Sequence, residues 1–142
     1  MLKKGFTLIE LLIVIAILGV LSVAVLVGIN PVDKINAAND STVQTAISQI
    51  ANAVESNAVS NSGLYATATD WTTLQTALTT SGDLKQAIAL PTGYTITASS
   101  TGAGPAKVGV NLKSIKYSAT PFWVWCNTSG KAGPVAAVTT CP

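Results

Sequence analysis

Residues 6 to 29 read FTLIELLIVIAILGVLSVAVLVGI, an apolar run that carries one charged residue, Glu10. At 1.5 Å per residue a helix of this length covers a hydrocarbon core of about 30 Å. A helix apolar on every side must be covered by lipid or by other helices. Lys3 and Lys4 precede the run, and no charged residue stands between Leu11 and Val32. Positive charge on the short N-terminal flank places that end in the cytoplasm and the bulk of the chain outside. Charged residues make up 10% of the chain, against about 25% in soluble domains, so a cytosolic globular enzyme is disfavoured. Without Lys3 and Lys4, six Lys face six carboxylates. The net charge of +2 is too small for a nucleic-acid footprint. The chain has neither His nor Arg, which removes the commonest general base and metal ligand.

Two ordinary readings fit a basic N-terminus followed by an apolar run. One is a secretory signal peptide, for which Ser22-Val23-Ala24 passes as a small-x-small cleavage site. The other is a plain single-pass anchor. Glu10 argues against both, because a carboxylate in a membrane segment is costly and points to function. It needs a cationic partner, and no cationic side chain lies within a helical turn of it. A cut after Gly5 would create one, the free amine of Phe6. Within one chain the two groups are not expected to meet. Between parallel, axially staggered chains the amine of one reaches Glu10 of the next.

Lys3-Lys4-Gly5-Phe6-Thr7-Leu8-Ile9-Glu10 resembles the processing signature of type IV prepilins and the related pseudopilins of type II secretion. The likeness covers about residues 1 to 30. It implies cleavage between Gly5 and Phe6 by a membrane-embedded prepilin peptidase and N-methylation of Phe6 by the same enzyme. It implies a helix that first anchors the subunit in the inner membrane and then packs in the core of a helical filament. Assembly would require an ATPase and platform machinery that this chain does not encode. Lipid tails are as apolar as Leu, so transfer from bilayer to filament has little hydrophobic driving force. Pairing of Glu10 would then set the axial register, since an unpaired charge there is strongly unfavourable.

Gly28-Ile29-Asn30-Pro31 is expected to interrupt the helix, with Gly28 and Pro31 as its breakers and Asn30 as cap of a restarted helix. Asp33 lies near the positive end of that second helix. Gly19 stands where many family members have a helix-weakening Gly, and Val27 where their first Pro usually falls. From Val32 the pattern becomes amphipathic, with Ile35, Val43, Ile47, Ile50, Val54 and Ala58 on one stripe and Thr45, Ser48, Asn52, Glu55 and Ser56 opposite. Asn61-Ser62-Gly63 ends it. Thr69 or Asp70 is expected to cap a short helix bearing Trp71, Leu74 and Leu78, and Asp83 a second one ending before Leu90-Pro91. Acidic residues are too sparse for the calcium site of some pseudopilins.

Three later stretches alternate at a period of two: Tyr94, Ile96 and Ala98; Val108, Val110 and Leu112; and, on another face, Phe122, Val124 and Cys126. Val135 to Val138 is expected to add a short edge strand. A meander of antiparallel strands on the amphipathic helix is the simplest arrangement. Cys126 and Cys141 would close a fifteen-residue loop. The extracytoplasmic side is oxidising, so a disulfide is expected there, with two free buried thiols as the alternative. A C-terminal disulfide loop resembles that of many major pilins and is usually missing from the major pseudopilin. Trp123, Trp125 and Tyr117 read as core; an exposed aromatic patch with Lys107, Lys113, Lys116 and Lys131 is the sharper alternative.

The expected fold is α+β: a long N-terminal helix, half hydrophobic and half amphipathic, on a small C-terminal antiparallel sheet. The expected organisation is a leader over residues 1–5, a membrane or filament-core helix over 6–30, its amphipathic half over 31–60, a connector with short helices over 61–91, and a sheet with a disulfide loop over 92–142. The expected function is that of a pilus subunit polymerising with identical copies, held first in the inner membrane and then in an extracellular filament serving adhesion, motility or DNA uptake. A type II secretion pseudopilin and a membrane-anchored binding domain that never polymerises are the alternatives. No enzymatic activity and no cofactor are expected: Asp33, Asp40, Glu55, Asp70 and Asp83 form no evident pair.

Overall fold

The computed structural model describes residues 5–142; Lys3, Lys4 and the rest of the expected leader before Gly5 lie outside the described residues. A 53-residue helical span, Leu8–Ser60, dominates the molecule. It consists of α1 (Leu8–Ile29) and α2 (Pro31–Ser60), separated by Asn30. No residue of α1 is buried. The head follows: α3 (Trp71–Ser81), β1 (Ile96–Ser99), β2 (Lys107–Asn111), a one-turn 3-10 helix (Ile115–Tyr117), β3 (Phe122–Cys126) and β4 (Lys131–Val135). The strands form one four-stranded antiparallel sheet in the order β1-β2-β3-β4. This is a pilin-like α+β fold.

Register decides which side chains meet α2. Ile96 pairs with Val110, which pairs with Trp123; Ala98 pairs with Val108, which pairs with Trp125. Side chains on one face of a sheet recur every second residue, so these six share the face toward α2. Val108, Val110, Ala98 and Trp125 are buried there with Val43, Ile47, Ile50, Val54 of α2 and Leu74, Leu78 of α3. The polar positions Thr45, Ser48, Asn52, Glu55 and Ser56 are exposed. Ile35 departs from the expected stripe and is exposed, because it precedes the part of α2 that the sheet reaches.

Asp70 caps α3, its Oδ1 accepting from Thr73 N at 2.9 Å. The second short helix expected after Asp83 is not formed; residues 82–90 are a turn, bends and irregular chain. The Asp83 carboxylate is instead drawn to the far end of α2, where it accepts from Ser56 Oγ at 2.7 Å and Asn57 Nδ2 at 2.9 Å, and from Ser81 Oγ at 2.6 Å. The last strand also differs from expectation. It begins at Lys131, directly after the turn Asn127–Gly130, and ends at Val135. Gly130 takes a left-handed conformation (φ 64°) that closes this tight hairpin. Pro134 sits in an edge strand, where a missing N–H is tolerated.

Candidate functional site

Residues 5–7 precede α1 without helical structure. Thr7 has φ −83° and ψ 149° and caps the helix. Its N–H and its hydroxyl both donate to Glu10 Oε2, at 2.9 and 2.6 Å, and Thr7 Oγ1 accepts from Glu10 N at 3.3 Å. This is a reciprocal capping box. Both donors meet Oε2, so Oε1 stays outside the box. The carboxylate thus folds back to a backbone N–H one residue from Phe6, closer to that end of its own chain than the spacing suggests. Phe6 is 77% exposed. A Cβ built on Gly5 meets nothing within 4 Å among the described residues. Gly5 and Phe6 are therefore exposed and outside the helix.

The helix breaks one residue before Pro31. Asn30 is left-handed (φ 45°, ψ 70°), and its side chain makes no capping bond. Its carbonyl accepts from Asp33 N at 3.1 Å and Lys34 N at 3.3 Å, starting α2. Gly28 is helical, within α1. Pro31 supplies no N–H and disfavours helical geometry at the residue before it. Asn is among the few non-glycine residues that tolerate the left-handed region, so the distortion falls on Asn30.

Two carboxylates on α2 hold the head. Asp40 is 1% exposed. It accepts from Tyr94 Oη at 2.8 Å, Lys113 N at 2.9 Å and Ser114 N at 2.9 Å. Seven residues earlier, Asp33 Oδ1 accepts from Ile115 N at 2.7 Å. Three consecutive N–H groups of the β2–β3 connection are thus claimed by two side chains two helical turns apart. Burial alone would raise the Asp40 pKa; the donors on Ser114, Lys113 and Tyr94 outweigh it and hold the carboxyl below its ordinary value. Burial and the adjacent carboxylate push the Tyr94 phenol up.

The face of the sheet away from α2 is covered by the C-terminal segment. Cys126 at the end of β3 is disulfide-bonded to Cys141, with Cα atoms 5.8 Å apart. Val124, Cys126 and Val135 are buried under Val138 and Cys141, and Lys107 Nζ donates to Thr139 O at 2.7 Å. Gly109 admits this cover, since a Cβ there would stand 2.8 Å from Val124 Cγ2 and 3.2 Å from Val138 Cγ1.

The aromatic residues do not form an exposed patch. Trp125 is in the core, and Trp123 packs edge-on to Tyr117 at 6.4 Å. The four lysines are divided. Lys107 and Lys131 flank Cys126 at one end of the sheet. Lys113 and Lys116 lie past the other end, over the rings of Tyr94 and Tyr117.

A family model described as the prokaryotic N-terminal methylation motif matches residues 1–26. The chain carries a class III signal peptide. This motif is typical of type IV pilins and pseudopilins, which are in general structural proteins. The match ends within α1 and says nothing of the head. No curated protein and no solved structure matches the chain significantly. The motif and the α+β fold are both similar to those of type IV pilins and pseudopilins.

Sequence reasoning passed over two parts of this arrangement. Thr7 belongs to a T-x-x-E signature ahead of an apolar run, which is a readable capping-box signal. Asp33 and Asp40 lie on one helical face, but nothing in the sequence announces that their acceptors would be spent on residues 113 to 115.

Proposed function

We propose that this chain is the structural subunit of a type IV pilus. One observation carries the reading: α1 is 22 residues of apolar helix with every residue exposed, joined to a core that α2 and the head complete without any residue of α1. Such a helix needs a second apolar environment, and the methylation motif at its start supplies the route from one to the other. In the membrane, α1 spans the bilayer with its N-terminus in the cytoplasm. Prepilin peptidase cuts the exposed Gly5–Phe6 bond and methylates the new Phe6 amine. Among the described residues nothing approaches a Cβ at position 5, which supports a requirement set by the peptidase.

After cleavage the Phe6 amine and Glu10 are the two charges at the buried end of the helix. The capping box satisfies one oxygen of Glu10 while the subunit waits in the bilayer, and Oε1 is left for the amine of a neighbouring subunit. Because lipid and filament core are equally apolar, this pairing gives register rather than much net stability. The work of extraction comes from the assembly ATPase. The disulfide-sealed C-terminal segment favours a pilus over a pseudopilus.

The test is Glu10→Ala. A pilus subunit so altered is still inserted and cleaved, yet is lost from the sheared surface fraction. Unchanged localisation and unchanged complex size would mean an anchored domain that does not polymerise.

A further inference from the structure

Large apolar side chains are left uncovered at both ends of α2. At the first end Val32 is 65% exposed, Ile35 62% and Ile115 64%. Ile115 belongs to the head, but its N–H bond to Asp33 holds it beside the first turn of α2. At the other end Val59 is 80% exposed, while Val54 and Ala58 before it are buried. At 100° per residue, Val32 and Ile35 lie about 20° and about 80° around the helix from the buried Val43. They are on the side of α2 that carries the head, below the head. Val59 lies about 160° from Val43, on the back. From Val32 to Val59 the helix rises about 40 Å. All of these relations lie within α2 and do not pass through Asn30. The two ends also differ in charge: Lys116 adjoins Ile115, and Glu55 stands one turn before Val59, both exposed.

Opposite ends and opposite sides restrict what covers both places. Within one chain they cannot meet. In a two-fold antiparallel pair each α2 turns one side to its partner, so one of the two places stays bare. A second copy set parallel and shifted by about 40 Å brings the back of one α2 at Val59 against the head side of the next α2 at Val32. Glu55 then faces the end of the neighbour that bears Lys116. Repeated, this head-to-tail contact covers both places in every copy but the last at each end. It advances along the axis at each step, so it builds a filament and closes neither a ring nor a dimer. Its polarity is that of the parallel, staggered chains in which Glu10 meets the next Phe6 amine. So few side chains fall far short of a self-standing interface, which buries upward of about 1,000 Å². The contact sets the axial offset between heads, and packing of α1 holds the copies together.

We propose that the last turns of α2 dock beneath the head of a second copy of this chain: Val59 packs against Val32 and Ile115 of the neighbour, and Glu55 pairs with its Lys116. The clasp of Asp33 on Ile115 N positions the receiving side. The inference rests on the filament reading of this chain.

The experiment is oxidative cross-linking of the full chain in the sheared surface fraction, with the native disulfide kept oxidised. The variants are Val59→Cys, Ile115→Cys and the two together; both positions are exposed, and an unchanged melting temperature in detergent checks the fold. The docking requires a ladder of covalent multimers from the double variant and monomers from either single one. Covalent dimers from Val59→Cys alone overturn it, because they report a two-fold contact. Filaments of the double variant that give no ladder overturn it and leave the filament reading standing. Charge reversal tests the same contact without cysteines. Glu55→Lys should lower the yield of sheared filaments several-fold, and E55K/K116E should restore it. A double reversal no better than Glu55→Lys overturns the docking. Absence of the unaltered chain from the sheared fraction overturns the docking together with the filament reading beneath it.

Discussion

Replacing Asp40 by Ala should be among the most damaging single changes in the head. The carboxylate accepts three donors while almost fully buried. Tyr94 Oη can turn toward Asn36 O, already 3.4 Å away, but the N–H groups of Lys113 and Ser114 have no such recourse. Each buried donor left without a partner costs about 1–3 kcal/mol. Removal of the buried charge gives back some desolvation energy, so the net loss should be about 3–4 kcal/mol. At roughly 4–8 °C per kcal/mol for a head of this size, the melting temperature should fall by about 15–25 °C. The assay is thermal and urea unfolding of the full chain in detergent, followed by tryptophan emission, since Trp125 lies in the same core. The pH dependence gives a second handle. The folded-state pKa of Asp40 is depressed, so its contribution is complete above the unfolded value of about 3.9 and is lost as pH falls through the folded value. Asp40→Asn should cost less than Asp40→Ala, since the amide keeps one acceptor oxygen, and should flatten the acid limb. A loss under about 1 kcal/mol for Asp40→Ala would refute the view that this carboxylate fastens the head to α2.

Thr7→Ala removes the side-chain half of the capping box and the hydroxyl bond to Glu10, while the backbone N–H bond remains, and should destabilise the start of α1 by about 1 kcal/mol, seen as faster amide exchange at Leu8 to Glu10 in micelles. Cys141→Ser opens a fifteen-residue loop and should cost about 3 kcal/mol; limited proteolysis should then cut within residues 136–142 while the sheet survives. Gly109→Ala drives a Cβ into Val124 and Val138 and should cost about 1–3 kcal/mol in urea unfolding. The Tyr94 phenol, with its raised pKa, contributes stability that is complete below about pH 10 and is lost as pH rises through the folded value; Tyr94→Phe should abolish that alkaline loss.

The long helix and the strand faces were legible because each is a hydrophobic period repeated several times. Val43, Ile47, Ile50 and Val54 recur at helical spacing, and Val108 and Val110 at strand spacing, and packing rewards both patterns directly. Asp70 was legible as a cap for the same local reason. Asp83 was not, because the same residue type can cap its own next turn or bond across the fold, and here Ser56 and Asn57 of α2 win. The last strand was misplaced because Gly133 and Pro134 weaken its signal, while pairing to β3 holds it in place. Ile35 keeps the helical period but lies below the sheet, a fact of three dimensions that no periodicity contains. Glu10 was conspicuous by its charge, whereas its bond to Thr7 lay in a four-residue signature masked by that larger anomaly.

The central claim is that α1 leaves the membrane as a processed helix and enters a surface filament. The most direct measurement is the intact mass of the chain in the sheared cell-surface fraction, with and without reductant. The account predicts a mass lacking residues 1–5, raised by about 14 Da for one methyl group, and a gain of about 2 Da on reduction as the Cys126–Cys141 bond opens. A chain found only in membranes and still beginning at Met1 would contradict it.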